Sequence, residues 1–167
     1  MTILSAAIAG LTMILVGGLI PAGLFLPSLG DPLNFVDLPS TWQVPAVLVA
    51  SSIGGSRSGV IATISYLTIG LFYLPIFDGG GSINYLLSPS FGYLAGFIPA
   101  AWVTGRLANS KNMNNIFLLT FSAICGLFVL QLFGVFNLII GTLLSRWPES
   151  FIELFFSYTL GPLPSQL

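Results

Sequence analysis

No charged side chain occurs before Asp31, and only four basic and five acidic residues punctuate the whole 167-residue chain. Water-soluble domains carry roughly 25% charged residues; here the figure is 5%, against 55% hydrophobic. Long charge-free runs of this kind are stable only where hydrocarbon is the solvent. The length accommodates five or six bilayer crossings at about 20 residues each plus loops. The chain is therefore expected to be an all-α membrane protein, with residues 1–167 forming a single transmembrane domain.

The same inventory removes several function classes. A net charge of -1 leaves no electrostatic footprint for nucleic acid. The one cysteine, Cys125, excludes a disulfide within the chain. There is no histidine, so an intramembrane serine hydrolase would lack its usual base and a metalloenzyme its commonest ligand. All five acids fall in loops or in the tail. An enzyme is not expected, nor a metal or other cofactor. Met1 to Leu29 is too long and continuous for the apolar core of a cleaved signal peptide, so it is read as a retained first span.

The spans follow from the apolar runs. Ile3 to Leu26 crosses once, with a kink at Pro21. Val44 to Gly54 is apolar but about half the length of a full span. Ser58 to Leu74 and Gly92 to Leu107 make the third and fourth segments. Ile116 to Leu144 is one long span, or a span broken near Gly134 and Asn137. Phe151 to Leu160 is too short to cross and reads as an interfacial helix started by Pro148 and Glu149. Arg57, Arg106 and Lys111 occupy alternate loops, and Asp31, Asp37 and Asp78 the others. The positive-inside rule then places the N-terminus in the cytoplasm of a multi-pass cell-membrane protein, with Arg146 the exception.

One stretch is unlike the rest. Leu74 to Tyr93 reads L-P-I-F-D-G-G-G-S-I-N-Y-L-L-S-P-S-F-G-Y, crowding Gly, Pro, aromatics and neutral polar groups between apolar segments. Irregular backbone at membrane depth persists only where protein or a wet cavity satisfies its amides. A binding site is expected here.

The order of short motifs from Asp37 onward resembles BioY, the biotin-specific substrate-binding (S) component of energy-coupling-factor (ECF) transporters. The motifs are L-P-S-T-W-Q (38–43), G-S-R-S-G (55–59), Y-L-T-I-G (66–70), L-P-I-F (74–77), D-G-G-G-S (78–82), S-P-S-F-G-Y (88–93) and A-G-F-I-P-A-A-W-V-T-G (95–105). The resemblance implies a compact bundle of five to six transmembrane helices holding one biotin near its outer face. It also implies partners, a transmembrane coupling subunit and two ATPase subunits, because the sequence has no G-x-x-x-x-G-K-[ST] phosphate loop. The family's last helix opens with an Asp and carries a Lys three residues later. Here Gln166 takes the Asp slot and the sequence stops before the Lys slot, so the last helix is expected to be missing, or the ligand chemistry to differ.

Biotin needs neutral donors and acceptors for its ureido ring, apolar walls for its thioether ring, and a donor or cation for its carboxylate. The expected binding residues are Gln43, Phe77, Gly79, Gly80, Gly81, Asn84, Tyr85, Ser90, Phe91, Tyr93 and Gln166. Simpler readings stand beside these. The glycines suit a turn, Gln43 a helix cap, and Tyr85 and Tyr93 an interfacial aromatic belt. Small residues spaced by four allow close helix approach. For Ala6, Ala9 and Gly10 the resemblance suggests docking of the coupling subunit. A non-catalytic membrane scaffold, or an S component for another small vitamin, are the alternative functions.

Overall fold

The computed structural model describes residues 2–26, 34–77, 80–110 and 116–166, with the backbone alone for 22–26, 34–40 and 164–165. Five principal helices form the body: α1 (Ile3–Leu19), α2 (Gln43–Gly54), α3 (Ser56–Phe72), α4 (Phe91–Ala108) and α5 (Ile116–Leu143). The short α6 (Phe151–Phe155) runs into a π turn (Phe156–Leu160), and α7 (Leu163–Gln166) follows.

The first span ends earlier than its apolar run. Ile20, which precedes Pro21, is extended (φ -95°, ψ 112°), because the proline ring crowds a helical conformation at the residue before it. Pro21–Leu26 then forms strand β1, paired antiparallel with β2 (Asn34–Thr41) in a register that sets Gly23 opposite Asp37 and Leu26 opposite Asn34. The expected kinked helix through Leu26 is thus replaced by a hairpin arm. The Trp42 amide donates to the Ile20 carbonyl at 3.1 Å and ties the arm's base to the end of α1.

Helix α2 has 12 residues, about 18 Å at 1.5 Å each, and packs centrally against α1, α3, α4 and α5. One residue, Gly55, joins it to α3 with φ +85°, a conformation open to glycine. The backbone of α4 closes on this joint: a Cβ at Gly105 would lie 2.6 Å from Ser56 Cα. Buried hydroxyls in these helices return their hydrogens to the preceding turn. Ser51 Oγ donates to Val47 O at 2.6 Å and Thr63 Oγ1 to Gly59 O at 3.0 Å. An apolar surround offers them no water instead.

Helix α5 is continuous, with no break at Gly134 or Asn137. It packs along α4 through alternating small residues. A Cβ at Gly96 would sit 3.1 Å from Leu130 O, and one at Gly134 would overlap the Tyr93 ring. These glycines serve packing within the protein. At about 42 Å, α5 exceeds the roughly 30 Å hydrocarbon core, enough to span with tilt. Its outward side chains are large and apolar: Phe117, Phe121, Phe128 and Phe136 are all exposed. Leu4, Ile8 and Val16 on α1 and Ile53 on α2 continue this belt. Among the described residues, α5 alone is both long and apolar enough to cross a membrane by itself; α1 and α2 are shorter apolar helices.

The two ends of the bundle differ. The start of α1, the α2–α3 joint and the end of α4 meet at one end, where Ala6 neighbours Gly54 and Asn109 neighbours Gly55. Arg57 and Arg106 are exposed there, Arg106 lying 5.4 Å from the Trp102 ring centroid. At the opposite end the 80–90 segment and the chain after α5 come together, and the Trp147 indole N–H donates to the Leu87 carbonyl at 2.9 Å.

Candidate ligand-binding site

At this second end lies a cavity of about 410 Å³. Its floor is apolar: Val44, Leu94, Phe97 and Leu130, all buried, come from α2, α4 and α5. Its rim is polar but uncharged. Thr41 and Gln43 stand at the start of α2, and Tyr85 and Ser90 on the segment before α4. Tyr93 is on the first turn of α4, and Ser157, Tyr158 and Gln166 follow α6. Ligand pockets of about 300–1,000 Å³ with apolar walls and a few placed polar groups suit small organic molecules.

The 80–90 segment is built by local rules. Gly80 closes a tight turn with φ +115°, its N–H donating to Phe77 O at 2.9 Å. Gly81 passes so close to the end of α3 that a Cβ would lie 2.6 Å from Gly70 O. A 3-10 turn (Ile83–Leu87) follows. Ser88 Oγ donates to Tyr85 O at 2.7 Å, and Ser90 Oγ donates to the Tyr85 hydroxyl at 2.8 Å. Two of the rim groups therefore hold each other in place.

Tyr93 is fixed at both ends of its side chain. Its ring lies over Gly134, and its hydroxyl meets Thr159 Oγ1 at 2.5 Å. Across the cavity, Gln131 Nε2 donates to Gln166 Oε1 at 2.8 Å. Two side-chain atoms nearby are buried with no hydrogen-bond partner among the described residues: Gln43 Nε2 and Gln131 Oε1. The Tyr66 hydroxyl donates to Ile76 O at 3.3 Å, and its oxygen stays open as an acceptor toward the adjacent Gln43 amide. A buried polar atom left unpaired is destabilising by about 1–3 kcal/mol. Of the two residues Gln43 lines the cavity, whereas Gln131 lies behind it.

The structure brings Gln43, Tyr85, Ser90, Tyr93 and Gln166 together on one cavity. Phe77 is placed behind it, in the core, edge-on to Tyr66 at 5.5 Å and tilted against Tyr85 at 4.9 Å. Gly80 faces open space, Gly81 packs on α3, Asn84 is exposed, and neither Asn84 nor Phe91 lines the cavity. Gly79, with Asp78 and Lys111, lies outside the described residues. On α1, Gly10 is buried against Ala50 and Ala62, Ala6 is half-buried and Ala9 is exposed. Sequence reasoning missed Thr41, Ser157 and Tyr158 on the rim, and Gln131 behind it. The one available signal was the polar cluster S-Y-T at 157–159 interrupting an apolar run. Helix α6 starts at Ser150, not Pro148: Ser150 and Glu153 form a reciprocal capping box.

The fold and the cavity define a helical membrane protein with an uncharged, aromatic-rimmed cavity at one end of its bundle. The chain belongs to the BioY family, whose model matches residues 2–163. It is 44% identical over 70 residues to a probable biotin transporter BioY of Lysinibacillus sphaericus, covering 42% of this chain and 36% of that protein. Over 102 residues it is 35% identical to the biotin transporter BioY of Thermotoga maritima, covering 60% and 59%. An uncharacterized 21.2 kDa protein of Cyanophora paradoxa is 32% identical over 149 residues, covering 88% and 77%. The matches thus span about a third to three-quarters of these relatives' own lengths. A crystal structure of the S-component for biotin from an ECF-type ABC transporter shares the fold, with a TM-score of 0.62 and 19% identity over 99% of this chain and 91% of that one.

Proposed function

We propose that this chain is a substrate-binding membrane subunit for biotin uptake, which hands biotin to an ATP-driven ECF module. The observation that carries the reading is the uncharged, aromatic-rimmed cavity with the Gln43 amide at its edge. A ureido ring is flat and neutral, with two N–H donors and one carbonyl. Gln43, Ser90 and the hydroxyls of Tyr85 and Tyr93 supply neutral donors and acceptors for it. Leu94, Phe97 and Leu130 provide the apolar wall that a thioether ring requires. Gln166, across the cavity, is assigned to the valerate end.

Binding is this chain's task and energy comes from elsewhere. The partners in this reading are a transmembrane coupling subunit and two ATPase subunits, with the exposed α1 surface around Ala9 as the docking face; Gly10 packs inward on Ala50 and Ala62 and takes no part in it. The protein sits in the cell membrane with its N-terminus in the cytoplasm. Arg57 and Arg106, exposed at the end opposite the cavity, support that orientation through the positive-inside rule. The cavity then opens outward, toward incoming vitamin.

Purified protein in lipid nanodiscs tests the assignment directly. Labelled biotin should remain bound through gel filtration and be displaced by unlabelled biotin. Absence of retention would favour a scaffold role; displacement by a different vitamin and not by biotin would reassign the ligand.

A further inference from the structure

We propose that Asn137 and Trp147 are positioning residues that hold the 80–90 segment over the cavity and thereby set how long ligand stays bound. The inference rests on the biotin reading for its ligand and on geometry for the rest. The 80–90 segment supplies Tyr85 and Ser90 to the rim and is knitted to itself through Ser88 and Ser90. Two side chains from the α5 region bond to its backbone. Asn137 Nδ2 donates to Pro89 O at 3.1 Å, and Trp147 Nε1 donates to Leu87 O at 2.9 Å.

Both donors are seated by glycine. A Cβ at Gly92 would overlap Asn137, and one at Gly141 would overlap the Trp147 ring. The Asn137 seat is made where α4 closes on α5, and the Trp147 seat is local to the end of α5. Asn137 is the more telling of the two. An amide inside a long apolar helix is unfavourable unless it is paired. Its partner here lies 48 residues away in the loop, not on a neighbouring helix. Both acceptors are main-chain carbonyls, so the clasp fixes where the loop runs without contacting ligand. Loss of either donor should free the segment to lift, carrying Tyr85 and Ser90 with it.

The variants Asn137→Leu and Trp147→Phe remove one donor each while keeping similar bulk or an aromatic ring. In the full-length protein in nanodiscs, each should speed biotin release about tenfold with association little changed, as expected when affinity is controlled by dissociation. Hydrogen exchange of amides 83–88 in ligand-free protein should rise by a similar factor, while exchange in α3 and α4 stays at the wild-type rate. Release and loop exchange matching wild type in both variants would overturn the proposal. If the wild-type protein retains no biotin, the biotin reading fails instead, and the ligand-free exchange measurement still decides the clasp.

Discussion

The hydroxyls of Tyr93 and Thr159 lie 2.5 Å apart although 66 positions separate them in the chain. This contact joins the first turn of α4 to the π turn after α6, so two walls of the cavity are held by one hydrogen bond. Tyr93→Phe and Thr159→Val should each destabilise the protein by about 1 kcal/mol, the usual net value of such a bond. The double variant should lose little more than either single one, as contacting residues do not add. Full additivity in thermal melts would mean that the hydroxyls act independently.

Gln43 offers a separation of stability from binding. Its buried amide nitrogen makes no hydrogen bond of ordinary geometry among the described residues and lies beside the Tyr66 hydroxyl. Gln43→Leu should change the melting temperature little, since that hydroxyl keeps its own bond to Ile76 O. Biotin retention should fall, by about tenfold if one ligand hydrogen bond is lost. A large drop in melting temperature together with unchanged retention would assign Gln43 to the scaffold.

Gly80 and Gly134 predict opposite causes for similar losses. Among the described residues other than its chain neighbours, no atom lies within 4 Å of a Cβ placed at Gly80, so Gly80→Val has room but meets a backbone φ of +115°. The strain should cost about 1–3 kcal/mol and weaken retention while membrane insertion persists. At Gly134 the backbone is helical and the obstacle is the Tyr93 ring. Gly134→Ala should cost about 1–3 kcal/mol by overpacking, and Tyr93→Ala should partly rescue it. Failure of that rescue would locate the damage elsewhere on the α4–α5 seam.

Acid should loosen the start of α6. Glu153 accepts from the Ser150 N–H at 3.0 Å and from the Ser150 hydroxyl at 3.0 Å. These bonds hold its carboxyl below the ordinary value of 4.5. A lowered carboxyl pKa means the stabilisation is complete above the unfolded value and is lost as pH falls through the folded one. Protection of amides 151–155, taken relative to the intrinsic exchange rate at each pH, should thus fall in wild type as pH drops below the ordinary carboxylate range. It should be lower and flat with pH in Glu153→Ala; a pH response of protection surviving in that variant would place the titrating group elsewhere.

Much of the architecture was legible from residue order. Nine charges, all clear of the first thirty residues, required a hydrocarbon solvent. The ordered motifs between Leu38 and Gly105 pointed to the family, and the crowding of Gly, Pro and Tyr after Leu74 pointed to the cavity. These features are local, so composition and spacing carry them. The hairpin arm is not legible because its first strand continues an apolar run that also suits a helix; Pro21 stops that helix and does not kink it.

Which neutral side chains meet around the cavity was decided only by three-dimensional packing. Tyr85 turns to the rim while Asn84, its neighbour, faces out, and Phe77 is drawn into the core by the space above Gly70. Gln131 finds Gln166 across 35 residues, and Asn137 finds Pro89 across 48. The physical reason is the solvent. In lipid the outward face of a helix is as apolar as the inward one, so periodicity along the chain does not separate them. Leu130 is buried and Phe128 exposed within the same greasy run. The difference arises when glycine-lined helices close on one another.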